Sequence, residues 1–176
     1  MPRNILFTGG KGSGKSTWVR RLMKELGGPW QGFFTLPYEI GGRRKGFYFH
    51  SLAPVAHWEN DVPISVQTTA SGAVAVTETF EGLGSACLRQ AAAASFVVMD
   101  ELGRLEGKAA RFQRAVEAVL ESDAWTICAV KKKKTPFLDR LRSREDILLL
   151  DLDETTEEMA KAAIQNYLQT YEGWNV

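Results

Sequence analysis

Residues 9–17 read Gly9, Gly10, Lys11, Gly12, Ser13, Gly14, Lys15, Ser16, Thr17. Gly9, Gly14, Lys15 and Ser16 fall in the register G-x-x-x-x-G-K-[ST]. That composition suits a chain of phosphates. Glycines let the backbone curl until successive N–H groups, from Gly10 to Thr17, face one anion. A helix that starts at Lys15 would turn its positive end to the same place. Lys15 adds a full charge for the outer phosphates, and the Ser16 hydroxyl is suited to ligate Mg²⁺. Lys11 belongs to the loop, and solvent is the plainer place for its side chain.

A triphosphate site of this kind needs an acid beside the metal. Residues 96–101 supply it, an apolar run ending in Asp100 and Glu101. A strand that ends in aspartate puts a carboxylate at the carboxyl edge of the sheet, where open α/β sheets bind ligands. Asp100 is expected to hold Mg²⁺ through water. Glu101, beside it, is suited to orient and deprotonate an attacking water. An acid at a strand end often does no more than reach solvent; the glycine loop gives this pair its meaning.

The surrounding elements follow from periodicity. Residues 4–8 are a short apolar run that stops at glycine, and residues 32–35, 45–50, 95–100, 125–130 and 147–152 also read as strands. Gly41 and Gly42 mark a hairpin between the second and third of these. Residues 74–76 suggest one more short strand, and residues 51–72, with Pro54, Pro63 and Gly72, read mainly as loop. Trp18, Val19, Leu22, Met23 and Leu26 lie at helical spacing over residues 15–26. Leu83, Cys87, Ala91 and Ala94 mark a second helix; Ala109, Phe112, Val116 and Val119 mark a third. Thr155 and Glu158 have the spacing of a capping box for a last helix, with Ala160, Ala163, Ile164 and Tyr167 inward. Strands alternating with helices predict an α/β fold, a mostly parallel sheet with helices on both faces.

The 176 residues suit one domain, 1–176, with no repeat or linker that divides it. Lys and Arg number 22 and Asp and Glu 21, a net charge of +1. That balance lacks the broad positive field of a nucleic-acid binder. The longest apolar run, residues 91–99, is too short for a bilayer, and residues 3–7 form no signal-peptide core. A cytoplasmic protein without membrane contact is expected, and no protein partner is indicated. Cys87 and Cys128 read as two small buried residues.

Three segments resemble the P-loop nucleoside-triphosphatases of the thermophile and human cancer-related type. They are the glycine loop; Gly32, Phe33, Phe34 and Thr35 followed by the turn of residues 41–47; and Asp100, Glu101, Leu102, Gly103, Arg104, Leu105 and Glu106. The third is the most discriminating, because a generic phosphate loop has no need of Gly103, a basic residue at 104, or Glu106. The resemblance implies a Rossmann-like three-layer P-loop domain. It also implies slow, broad hydrolysis of nucleoside triphosphates to diphosphates with Mg²⁺. Two stretches depart from the family pattern: Leu36, Pro37, Tyr38 and Glu39 after the G-F-F-T segment, and residues 153–156 after the last strand.

Charge that develops on a transferred phosphoryl group calls for a cation. Arg44 and Arg104, in the matched segments, are the candidates, against ordinary surface pairing. Lys131 to Lys134 follow a strand and so end at the nucleotide edge, although a charge run of this kind is more simply a solvated loop. Arg140, Arg142 and Arg144, with acids at both ends, suggest surface pairs or a basic flap over phosphates. Trp18, Trp58 and Trp125 read as packing residues. Two other activities share the loop: a small-molecule or nucleoside kinase, and a nucleotide-gated binding module with little turnover.

Overall fold

Apolar runs that alternate with amphipathic helices bury themselves by lying in a sheet between two helical layers. The computed structural model describes residues 3–68 and 72–171. In chain order it has β1 (Arg3–Gly9), α1 (Lys15–Leu26), β2 (Trp30–Ile40), β3 (Arg43–Ser51), β4 (Asp61–Thr68) and β5 (Gly72–Ala75). Then come α2 (Thr77–Thr79), a π-helical turn (Phe80–Gly84), α3 (Ser85–Ala91), β6 (Phe96–Leu102) and a 3₁₀ turn (Arg104–Glu106). The chain continues with α4 (Ala110–Glu121), β7 (Trp125–Lys131), α5 (Pro136–Arg142), β8 (Ile147–Asp151) and α6 (Glu157–Gln169).

The strands form one sheet in the order β5-β4-β3-β2-β6-β7-β1-β8. From β2 to β8 all pairings are parallel. β3, β4 and β5 extend the sheet antiparallel from β2. Central strands are buried on both faces, which is why they read as continuous apolar runs. On β6, Val97 and Met99 join one core while Val98 joins the other; on β7, Cys128 and Val130 face Ile127 and Ala129 in the same way. One core is closed by Leu88, Phe112, Val116, Phe137 and Leu138 from α3, α4 and α5. The other is closed by Val19, Leu22, Ala160 and Ile164 from α1 and α6. These are the helices on both faces that the sequence predicts.

The structure corrects several boundaries. Residues 61–68 are not loop but β4; residues 69–71 of the same stretch lie outside the described part. Pro63 is accommodated beside a register shift in the pairing of β3 and β4, where a missing N–H costs least. The helix expected through Ala94 ends at Ala91. The last helix is capped one residue later than expected, by Thr156, whose Oγ1 accepts the Met159 N–H at 3.2 Å. An unexpected helix, α5, opens on Thr135, whose Oγ1 accepts the Leu138 N–H at 3.1 Å, with Pro136 in its first turn. Trp58, read as a packing residue, packs its edge against Gly82 while remaining 40% exposed. Cys87 and Cys128 are buried free thiols, Cys87 pushed up to about 11 by burial.

Gly32 shows why the G-F-F-T segment begins with glycine. Its φ is +107°, and a Cβ there would lie 2.0 Å from the Val98 carbonyl oxygen of the neighbouring strand. No other residue allows β2 and β6 to approach so closely. Among the described residues, no helix is long and apolar enough to cross a membrane.

Candidate active site

The parallel half of the sheet brings the ends of β1, β6, β7 and β8 to one edge. Parallel pairing sets Gly9 opposite Lys131 and Thr8 opposite Asp151. The glycine loop leaves β1 there and turns into α1. Gly14, at φ +94°, makes the turn that starts the helix, a conformation glycine takes without strain. The first helical hydrogen bond runs from the Trp18 N–H to the Gly14 carbonyl at 3.0 Å. The N–H groups of Lys15, Ser16 and Thr17 therefore lack intrahelical acceptors and remain for an anion.

Residues 9–17, the whole predicted loop, line a cleft of about 770 Å³. Its other walls are Arg44 and Phe47 from the β2–β3 hairpin, Glu101, and Lys131 to Lys133. The volume lies within the roughly 300–1,000 Å³ of small-molecule sites. Lys11 is exposed at the rim. Lys15 is 8% exposed and bends back along its own loop: Nζ donates to the carbonyls of Gly9 and Gly10 at 3.1 Å each. It also lies 3.5 Å from Glu101 Oε2.

Ser16 and Asp100, 84 positions apart in sequence, meet. Ser16 Oγ donates to Asp100 Oδ1 at 3.0 Å. Asp100 is 4% exposed, and burial, opposed by the Ser16 hydroxyl, pushes its carboxyl up to about 6. A desolvated carboxylate beside a hydroxyl is a hard oxygen pair that a divalent cation would relieve of its burial penalty. The two residues fit Mg²⁺.

Glu101 is held from both ends. Its N–H donates to Thr35 Oγ1 at 3.2 Å, which gives the threonine of the G-F-F-T segment a role. Its carboxylate lies between Lys15, at 3.5 Å from Oε2, and Lys131, at 3.3 Å from Oε1. Gly103 and Glu106 support this wall. The Gly103 N–H donates to Glu106 Oε2 at 2.9 Å, and Glu106, fully enclosed, is pushed up to about 8 by burial.

Arg44 reaches the cleft, its guanidinium 5.5 Å from the centre of the Phe47 ring. Arg104 opens the 3₁₀ turn beyond β6; its side chain lies outside the described part. Lys132 to Lys134 form an exposed loop, as charge alone suggests, and Lys131, Lys132 and Lys133 also line the cleft. The flap suggested by Arg140 to Arg144 is not seen either. Arg140 pairs with Glu117, Arg144 with Asp146, and Arg142 donates to the carbonyls of Lys131 and Lys133 at 2.7 Å each.

Sequence reading also missed Asp153. Its carboxylate accepts the Gly10 N–H with its two oxygens at 3.0 and 3.1 Å, and takes Lys132 Nζ at 3.2 Å. Those two contacts, the N–H first, lower its pKa. The signal was its position just past a strand that flanks β1. Of the two stretches that depart from the family pattern, residues 153–156 thus touch the phosphate loop. Leu36 to Glu39 instead continue β2 along β3.

A family model described as NTPase matches residues 4–165. The nucleoside-triphosphatase THEP1 of Methanothermobacter thermautotrophicus is 32% identical over 176 residues, spanning 96% of this chain and 98% of that protein. The human cancer-related nucleoside-triphosphatase is 29% identical over 169 residues, spanning 86% and 89%. Among solved structures, the crystal structure of THEP1 from Aquifex aeolicus superposes with a TM-score of 0.72 at 21% identity, covering 96% of this chain and 99% of that one. The solution structure of the human protein gives a TM-score of 0.70 at 23% identity, covering 99% and 100%. The two structural likenesses bear on the fold.

Proposed function

Because the chain belongs to the NTPase family matched over residues 4–165, we propose that it hydrolyses nucleoside 5′-triphosphates to diphosphate and phosphate. The reaction is Mg²⁺-dependent, slow, and broad in base. The observation that carries this reading is the convergence on one loop of Ser16 with Asp100, at 3.0 Å, and Lys15 with Glu101, at 3.5 Å. Metal ligands and a carboxylate for water then stand on either side of the same phosphate cradle.

Backbone N–H groups of the loop beyond Gly10, whose own N–H is held by Asp153, and the Lys15 ammonium hold the phosphates. Ser16 and Asp100 hold Mg²⁺, Asp100 through water; when bound, the ion offsets charge on the outer phosphate oxygens. Glu101 accepts a hydrogen bond from the attacking water and orients it. The water oxygen bonds to the terminal phosphorus as its proton passes to the Glu101 carboxylate and the bond to the bridging oxygen breaks, and the diphosphate leaves with that electron pair. Positioning and fixed charge supply most of the rate. The sequence offers Arg44 and Arg104 only as candidate charge stabilisers and shows no obvious arginine finger, which supports slow turnover. Phosphate-centred recognition explains breadth in base.

Transfer to a metabolite hydroxyl would need room for the acceptor beyond Glu101. The space there, shared by Phe47, Glu101 and Lys131 and closed by Thr35 and Glu106, is about 130 Å³. That volume holds a few waters, so an acceptor would have to share the cleft of about 770 Å³ with the nucleotide. The test is a panel of ATP, GTP, CTP and UTP with Mg²⁺ and no acceptor, measuring released phosphate and the nucleotide product. Phosphate with diphosphate from all four is the expected result. Phosphate moving only to an added metabolite would make the protein a kinase; tight binding without turnover would make it a binding module.

A further inference from the structure

Lys131 and Lys132 are adjacent in sequence but have different partners. Lys132 is matched by two carboxylates, Asp151 at 2.7 Å and Asp153 at 3.2 Å. Lys131 has Glu101 at 3.3 Å, and Glu101 is shared with Lys15 at 3.5 Å. Two ammonium groups thus converge on one carboxylate beside the phosphate loop. A carboxylate between two such cations occupies the kind of place that a terminal phosphate would take.

The fold aims Lys131 at this place. Parallel pairing sets it opposite Gly9, the first residue of the loop, and adjacent strands lie about 4.8 Å apart. Arg142 fixes the backbone by donating to the carbonyls of Lys131 and Lys133 at 2.7 Å. The stem of Lys131 passes over Gly103, where a Cβ would lie 3.0 Å from its Cδ. Its ammonium lies 5.8 Å from the centre of the Phe47 ring. The side chain is 40% exposed, so the ammonium can change partner without entering the core. Arg44 shares the Phe47 ring but has no ion pair with Glu101 among the described residues.

We propose that Lys131 is a catalytic residue that exchanges Glu101 for the terminal phosphate of a bound triphosphate. This inference rests on the hydrolytic reading of the same site. In the ligand-free protein the two lysines cover the Glu101 carboxylate. A triphosphate draws Lys131 onto the terminal phosphate oxygens, which uncovers Glu101 for water in the same movement. Lys131 then stabilises the negative charge on the transferring group while the bond to the bridging oxygen breaks. A diphosphate, which lacks that group, leaves the Lys131–Glu101 pair in place. The site thereby assembles its water-activating carboxylate only around the substrate.

The test uses Lys131→Met, which keeps most of the stem, Lys131→Arg, which keeps the charge, and Lys134→Ala as a control that removes a charge from the same segment. Affinities for ADP and for a non-hydrolysable ATP analogue are measured by calorimetry, and kcat and KM by phosphate release. Lys131→Met should bind ADP within about twofold of the parent, which also shows that it is folded. It should bind the analogue about tenfold or more weakly and lose about 10²-fold in kcat. Lys131→Arg should recover most of both losses, and Lys134→Ala should match the parent. Equal changes in ADP and analogue affinity, or an unchanged kcat in Lys131→Met, would overturn the proposal. A parent that released no phosphate would instead overturn the hydrolytic reading, while the ADP-against-analogue comparison would still decide whether Lys131 senses the terminal phosphate.

Discussion

The Asp153 carboxylate clasps the Gly10 N–H at 3.0 and 3.1 Å, tying the segment after β8 to the start of the phosphate loop across 143 positions of sequence. This contact anchors the loop from outside; it involves neither Lys15 nor Ser16. Asp153→Ala should therefore loosen the loop and raise KM for ATP, GTP, CTP and UTP by similar factors, of about three- to tenfold. Amide exchange in residues 9–14 should quicken. A change in KM confined to one base would show that Asp153 reads the base instead.

Lys15 and Glu101 touch but are expected to fail differently when removed. Lys15→Ala takes away a charge that binds the outer phosphates in ground state and transition state alike. Nucleotide affinity should fall by about tenfold or more, read by calorimetry. Glu101→Gln keeps the shape and the Thr35 contact, which is made by the backbone. It should still bind nucleotide but hydrolyse it at least about tenfold more slowly, a barrier rise of about 1.4 kcal/mol or more. Equal turnover by Glu101→Gln and the parent would remove Glu101 from the chemistry.

Much of this site was legible because its residues are neighbours in sequence. The loop from Gly9 to Thr17 and the acids Asp100 and Glu101 could be named from spacing, because one turn and one strand end place them. Lys131 could be brought only as far as the nucleotide edge, with a solvated loop the simpler reading, and Asp153 could not be named at all. Their roles come from the order of the strands, which puts β7 and β8 on either side of β1, and a single sequence does not carry strand order. A charge run such as residues 131–134 therefore reads as solvated until its neighbour, Gly9, is known. β4 was hidden by Pro63, which a register shift accommodates. For α5, a threonine followed by proline signalled a helix start, but the basic residues that follow drew attention to charge instead. Gly103 and Glu106 stood out as a motif, and the structure gives them work: Gly103 leaves room for the Lys131 stem, and Glu106 holds the Gly103 N–H.

Gly32→Ala tests the close approach of β2 and β6. The added methyl would meet the Val98 carbonyl oxygen at 2.0 Å, and φ is +107°. Neither the strand pairing nor the backbone angle can give way without moving Phe33 and Phe34, both in the core. A loss of about 3 kcal/mol or more is expected from urea unfolding. A variant within about 1 kcal/mol of the parent would mean that the two strands separate easily.

Glu106 gives the fold a pH dependence of predictable sign. Burial raises its carboxyl from 4.5 to about 8; the Glu106 and Gly103 N–H groups and Lys131 act in the opposite direction, and Glu101 adds to the rise. The folded protein therefore binds this proton more tightly than the unfolded chain does. The stabilisation it provides is complete below pH 4.5 and is lost as pH climbs through about 8. Glu106→Gln keeps an oxygen to accept the Gly103 N–H and carries no charge at any pH. Its melting temperature relative to the parent should rise between pH 4.5 and about 8, the window set by those two values, and level off above it. A difference that stays constant across that range would show that Glu106 titrates alike in the folded and unfolded chain, and that its enclosure costs the ionised form nothing.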